Sequence, residues 1–283
     1  MILFIMNVDI HIHSNYSDST LSIEEIAIKA IENNISLISI CDHHSTQNYP
    51  ELKVICKKYK LNYIYGLEIN ASLDNDDAFI HILAYNPNPK SVRLKQLLKD
   101  CVTEYDKMSD RLINYLARDI EKVTLRGYKE FIYTGKYGGW KSYEFLIELG
   151  IINQLQDYFR LLKFYKVEKP GFMSVEQVCS IIKDAGGIPV LAHPGNTFPE
   201  EKISNYLETI CLMGIEGIEC YYPKHNPKVI EICIEFCRNY NLLITGGSDD
   251  HGYFMKNDIH GFDGMHNYKI NLKQLKLGSI KIY

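Results

Sequence analysis

Apolar positions in this chain fall into short continuous runs separated by longer stretches with helical spacing. The opening run, Ile2-Leu3-Phe4-Ile5-Met6, leads into Asp9-Ile10-His11-Ile12-His13 and reads as a buried strand. The capping box Ser22-Ile23-Glu24-Glu25 starts a helix to about residue 33, with Ile23, Ile26, Ala27, Ala30 and Ile31 on one face. Ile35-Ser36-Leu37-Ile38-Ser39-Ile40-Cys41 predicts a strand buried on both sides. A short helix between 49 and 58 separates it from a third strand over 61–69. The turn Asp74-Asn75-Asp76-Asp77 then joins a fourth strand over 79–85, expected to be its antiparallel partner.

From about 90 to 167 strand runs vanish and helical spacing takes over, so this segment reads as a helical insertion. The alternation resumes with a second capping box, Ser174-Val175-Glu176-Gln177, whose helix stops at Gly186-Gly187. Strands follow over 188–192, 217–221 and 242–245, with helices over about 200–213 and 227–240 between them. The tail over 261–283 reads as short strands and loops that close the fold. The expected class is α/β, with a discontinuous main domain over 1–89 and 168–283 and the insertion over 90–167.

Composition narrows the function classes. Hydrophobic residues make up 46% of the chain and charged residues 23%, the balance of a soluble globular protein. A net charge of −4 argues against electrostatic coating of duplex nucleic acid, whereas a small anionic substrate is compatible if bound cations supply charge locally. The eight cysteines contain no C-x-x-C pair and several lie in apolar runs, which reads as free thiols in a reducing compartment rather than a disulfide framework. The opening run is too short for a signal peptide, and no stretch approaches the roughly 20 apolar residues of a membrane span. A cytoplasmic protein without a membrane segment or an obligate protein partner is expected.

The chemistry collects at strand ends. His11/His13, His43, Glu68, His193, His225 and Asp249/His251 come at or just after the ends of predicted strands, and His81 falls within one. Residues two apart on a strand share a face, so His11 and His13 form a metal-binding fork that Asp18 can reach from the following loop. In a parallel β/α barrel such ends gather at one rim. A purely structural origin would require most of the ten histidines to fall at strand ends by chance. Between Arg111 and Lys141 seven basic and three acidic residues mix with Tyr115, Tyr128, Tyr133, Tyr137 and Trp140. This segment is either a solvated face or a lid over the active site that meets phosphates or bases, with Arg111, Arg118, Lys122 and Arg126 as its cations and Gly138-Gly139 as its flexible point.

Taken in order, several stretches resemble the PHP (polymerase and histidinol phosphatase) superfamily of metal-dependent phosphoesterases. They are Asp9-Ile10-His11-Ile12-His13-Ser14 with Ser17-Asp18, Cys41-Asp42-His43, Gly66-Leu67-Glu68, His81-Ile82-Leu83, Ala192-His193-Pro194 and Gly247-Ser248-Asp249-Asp250-His251-Gly252. The resemblance implies a distorted (β/α)7 barrel with a helical insertion and a trinuclear metal centre. It implies one ion on His11, His13, Glu68 and Asp249, a second on Glu68, His81 and His193, and a third on Asp18, His43 and His251. Such shells suit Zn, Mn or Fe rather than Mg alone. Hydrolysis by a metal-activated water follows, with Asp249 and His225 as catalytic residues and Ser14, Lys224 and His225 on the substrate phosphate. His225 alternatively caps the next helix. Asp42 is expected to orient a ligand histidine.

The insertion and Tyr221-Tyr222-Pro223-Lys224-His225-Asn226-Pro227 resemble the branch that acts on nucleotides. The expected substrate is a nucleoside 3′,5′-bisphosphate, a nucleoside monophosphate or a short RNA 5′ end. The alternatives are a histidinol-phosphate or other small-molecule phosphatase, and a non-catalytic metal-stabilised module of a larger assembly.

Overall fold

A computed structural model describes residues 6–73, 79–254 and 269–283. Residues 2–5 of the opening run, the turn at 74–77 and positions 261–268 of the tail therefore lie outside the described residues. The elements run β1 (Asn7–Ile12), α1 (Ile23–Glu32), β2 (Ile35–Ile40), α2 (Tyr49–Tyr59), β3 (Asn62–Ser72) and β4 (Phe79–Tyr85). Four helices follow, α3 (Val92–Asp119), α4 (Leu125–Glu130), α5 (Lys141–Glu148) and α6 (Leu155–Phe164). The chain then continues with α7 (Val175–Asp184), β5 (Ile188–Leu191), α8 (Pro194–Thr197), α9 (Ile203–Leu212), β6 (Gly217–Tyr221), α10 (Pro227–Asn239), β7 (Leu243–Gly246) and β8 (Ile270–Asn271).

Local signals act where they were expected. Ser22 and Ser174 both close reciprocal capping boxes, with Glu25 and Gln177 respectively, at the starts of α1 and α7. β2 is buried along almost its whole length, as its unbroken apolar run requires between helices and the barrel interior.

The strand order is β7-β6-β5-β4-β3-β2-β1-β8. β1, β2 and β3 are mutually parallel, as are β5, β6 and β7, while β4 runs antiparallel to both β3 and β5. This reversed strand is the distortion in the barrel, and it explains the position of His81. In a reversed strand the beginning, not the end, reaches the rim where the parallel strands finish. His81 is the third residue of β4. Glu68, expected at a strand end, lies instead within β3, which continues to Ser72 to pair with β4.

The sheet nearly closes. Beyond β7 the chain turns onto β1, with Asp249 N donating to His11 O at 2.8 Å and His13 N donating to Asp250 O at 2.9 Å. β8 covers the other side of β1, and Lys276 exchanges backbone hydrogen bonds with Ile244 of β7. Barrel apolar side chains pack against helices α1, α2, α7, α9 and α10 and against the first half of α3 through Leu94, Leu97, Leu98 and Cys101, whereas the second half of α3, α5 and their neighbours add a separate cluster around Leu112, Leu116, Leu146 and Tyr158. All eight cysteines are free thiols. Among the described residues no helix is long and apolar enough to cross a membrane.

Candidate metal centre

At the barrel rim a single carboxylate, Glu68, faces five imidazoles. Its Oε1 lies 3.0 Å from His81 Nδ1, 3.1 Å from His193 Nε2 and 3.5 Å from His11 Nε2. Its Oε2 lies 3.3 Å from both His13 Nε2 and His43 Nδ1. Asp249 Oδ1 stands 3.1 Å from His13 Nε2 and 3.3 Å from His11 Nε2. Asp18 completes the ring, with Oδ1 at 3.5 Å from His13 Nδ1 and Oδ2 at 3.4 Å from His251 Nε2.

Among the described residues three groups have donor atoms close enough to share an ion: His11, His13, Glu68 and Asp249; His13, Asp18, His43 and His251; and His43, Glu68 and His81. The first is the set expected for one ion. The second is the expected Asp18, His43 and His251 with His13 added. In the third, His43 stands beside Glu68 and His81 where His193 was expected, although His193 touches the same Glu68 oxygen. All nine expected ligands are thus brought together. Their donor chemistry fits divalent first-row ions. Buried atoms aimed into the cluster, including His13 Nδ1, His43 Nδ1, Glu68 Oε2 and Asp249 Oδ1, have no hydrogen-bond partner, as an ion-binding surface requires.

The electrostatics support this fit. Burial disfavours charge on Glu68, but His81, His11 and His43 hold its carboxyl well below the usual range. Burial likewise opposes charge on Asp18, yet His251 and His43 carry its carboxyl far down, and His11 and His251 do the same for Asp249. Three ionised carboxylates therefore face one small volume. Burial also opposes charge on the imidazoles, yet the Asp249 and Glu68 carboxylates beside it lift His13 to about 10. Metal and protons compete for such rings, so ion binding releases protons.

Backbone strain marks the same place. His44, His193 and Asp249 all have positive φ, at 52°, 25° and 56°, a region that side-chain-bearing residues adopt only where surrounding structure holds them.

Several expectations are corrected. His225 is buried, its Nε2 accepts from Gly195 N at 3.0 Å and its Nδ1 donates to Cys220 O at 2.9 Å. Both nitrogens are thus spent on backbone, which ties the start of α8 to β6 and leaves none for a phosphate or a leaving group. Ser14 is also withdrawn, because its hydroxyl donates to Asp42 Oδ2 at 2.7 Å and accepts from Tyr16 N. Among the described residues Asp42 bonds no histidine; it gathers Ser14, Ser17 and Asn48 and so fixes the loop that carries His13 and Asp18. Lys224 does line the cavity above the cluster.

Two residues escaped the sequence reading. Glu219, fully buried on β6, accepts from His11 Nδ1 at 3.0 Å and from His193 N at 2.9 Å, so it sets the His11 ring and the His193 backbone together. An acid inside the apolar strand run Gly217-Ile218-Glu219-Cys220-Tyr221 was the available signal. Tyr222 points its hydroxyl at Asp249 Oδ2, 3.4 Å away.

The cluster forms the floor of a cavity of about 940 Å³, walled on the far side by Tyr105, Tyr128, Trp140 and Phe159 of the inserted helices and the loops joining them. Arg111, Arg118, Lys122 and Arg126 do not line it. Arg111 pairs with Glu168, Arg118 lies over Tyr115, Lys122 holds Leu149 O and Arg126 pairs with Glu130. The cavity's basic groups are instead Lys141, Lys163, Lys169 and Lys224. Gly138-Gly139 is a tightly packed turn rather than a flexible point. Gly139 N donates to Asp18 O at 2.8 Å, and a Cβ on Gly138 would lie 2.5 Å from both Asp18 O and Phe254 Cβ.

Known proteins resemble the chain over most of its length. It is 23% identical to a phosphoribosyl 1,2-cyclic phosphate 1,2-diphosphodiesterase of Eggerthella lenta, over 90% of this chain and 97% of that one. It is 27% identical to the 5′-3′ exoribonuclease Rnm of Escherichia coli, over 86% and 84%. A 3′,5′-nucleoside bisphosphate phosphatase of Chromobacterium violaceum is 23% identical over 87% of each chain. A solved structure from Bifidobacterium adolescentis, described as a candidate metal-dependent phosphoesterase, shares the fold with a TM-score of 0.73 at 24% identity, covering 87% of this chain and 88% of that one. The PHP domain family matches residues 9–168, more than half of the chain, and the protein belongs to that family.

Proposed function

We propose that this protein is a metal-dependent phosphoesterase that hydrolyses phosphomonoesters of nucleotides or of short RNA 5′ ends. The observation that carries this reading is Glu68, one buried carboxylate shared by imidazole groups that converge from both halves of the barrel. Three ions would be held by the three groups described above, with His193 joining Glu68 and His81. Bound there, divalent ions supply a water of lowered pKa and positive charge for phosphoryl oxygens.

The chain's own side chains do the rest. Glu219 keeps His11 in the tautomer that turns Nε2 toward the centre. Tyr222 restrains Asp249, and Lys224 offers a cation at the cavity wall for the phosphate. The inserted helices act as a lid that keeps bulk water from the ester, and the aromatic groups on them give a nucleobase a stacking surface. The names of the Escherichia coli and Chromobacterium violaceum relatives support a nucleotide or RNA substrate. The Eggerthella lenta relative, matched over nearly its whole length, favours a second reading, a sugar-phosphate diester. Eight free thiols suit a cytoplasmic setting.

Phosphate release with Mn²⁺ from adenosine 3′,5′-bisphosphate, AMP, a 5′-phosphorylated short RNA, histidinol phosphate and phosphoribosyl 1,2-cyclic phosphate tests the substrate. Preference for the bisphosphate or the RNA, lost in His193→Ala, is expected. Preference for either of the last two substrates overturns the nucleotide assignment and keeps the hydrolytic one.

A further inference from the structure

Among the described residues two histidines of the cavity wall stand outside the three ligand groups; His193 touches Glu68, and the other, His44, touches no carboxylate of the centre. His44 follows His43 at the end of β2, where its backbone N–H donates to Glu68 O at 2.9 Å. Its left-handed backbone, the same device seen at His193 and Asp249, turns the ring into the cavity. Ring centroids of Tyr105 and Phe172 lie 5.8 and 6.3 Å away, and that of His43 is 5.7 Å away. The imidazole therefore sits at the junction between the metal centre and the inserted helix α3. The residue is only 7% exposed, yet neither ring nitrogen has a hydrogen bond of ordinary length. Its polar neighbour is the Asn70 carboxamide, whose Nδ2 donates to Tyr105 Oη at 3.0 Å.

A buried polar ring with only one carboxamide neighbour for its two nitrogens costs stability, and an apolar side chain of that shape would pack as well between two aromatic rings. A nitrogen-bearing ring held there by a strained backbone is explained if it meets a ligand group. Phosphoryl oxygens belong with the cations over Glu68, so the group facing His44 lies beyond the phosphorus.

Resting on the phosphoesterase reading, we propose that His44 recognises the alcohol half of the ester. Its imidazole hydrogen-bonds a hydroxyl or amino group of that half and so selects nucleoside- or polyol-type phosphates over plain aryl or alkyl phosphates. Asn70 and Tyr105 hold the ring from behind.

The test compares wild type with His44→Phe, which keeps the aromatic packing, and with His44→Gln, which restores a polar end. Substrates are adenosine 3′,5′-bisphosphate and phenyl phosphate, whose leaving group has no further polar atom. AMP affinity by calorimetry and bound metal are measured alongside. The phenylalanine variant is expected to lose about tenfold in kcat/KM on the bisphosphate and in AMP affinity, the worth of one hydrogen bond. Phenyl phosphate turnover and metal content should change by less than about twofold, and glutamine should recover part of the loss. Equal losses on both substrates, or none on either, would overturn the assignment. Wild-type enzyme inactive on phenyl phosphate and bisphosphate alike would sink the phosphoesterase reading, and this assignment with it.

Discussion

Glu68→Gln is expected to abolish phosphate release while leaving the barrel folded. Glutamine has the same shape and fills the same buried site, so the packing of β3 against β2 and β4 is kept. What disappears is the negative charge that touches all five of His11, His13, His43, His81 and His193, leaving Asp18 and Asp249 to face only some of them. A carboxamide nitrogen turned toward these rings offers no lone pair to an ion. Metal-derived stabilisation of several kcal/mol corresponds to a loss of about a thousandfold in kcat. Phosphate-release kinetics, metal analysis and circular dichroism on the same preparation check this. Retained metal together with near-normal turnover would show that Glu68 is not the shared ligand.

The second large effect concerns the barrel seam. Gly247 passes so close to β1 that an added Cβ would lie 2.4 Å from His11 Cβ and 2.5 Å from His11 N. Backbone and a ligand-bearing residue stand in the way, so no flexible side chain can yield. Gly247→Ala must push β7's outgoing loop off β1, breaking the Asp249 N to His11 O hydrogen bond and the contact of Ser248 N with Asp9 Oδ1 at 2.9 Å. Overpacking of this kind costs about 3 kcal/mol. The expected result is a fall in melting temperature of roughly 5–10 °C, with weaker metal binding because Asp249 moves away from His11 and His13. Thermal melts with and without added metal measure both. An unchanged melting temperature would mean the seam is looser than its geometry states.

The gathering of these imidazoles and carboxylates at one rim was legible in the sequence because its chemistry is tied to local pattern. Apolar runs located the strands, and an imidazole or carboxylate at a strand's rim end stands out against apolar neighbours. His81 was named, but its place early in a strand made sense only once β4 proved antiparallel, a non-local pairing that periodicity does not encode. His225 illustrates the opposite limit. Adjacent to Lys224 and beyond a strand, it had the surroundings of a functional residue, yet its partners are the backbones of Cys220 and Gly195, 30 residues apart from it in the second case. Glu219 was passed over because one acid in an apolar strand looks like an interruption until His11, 208 residues away, is placed against it. The insertion's cations misled for a related reason. Helical spacing locates a helix without saying which face looks inward, and Arg111, Arg118, Lys122 and Arg126 look elsewhere.

The most direct test of metal-dependent phosphoester hydrolysis at this centre is reconstitution. Protein stripped by a chelator would be titrated with Mn²⁺ while bound metal is counted and phosphate release from adenosine 3′,5′-bisphosphate is followed. Folded but inactive stripped protein, regaining turnover in step with bound metal, is the predicted outcome. Full turnover by metal-free protein, or fully loaded protein that releases phosphate from no ester, would contradict it.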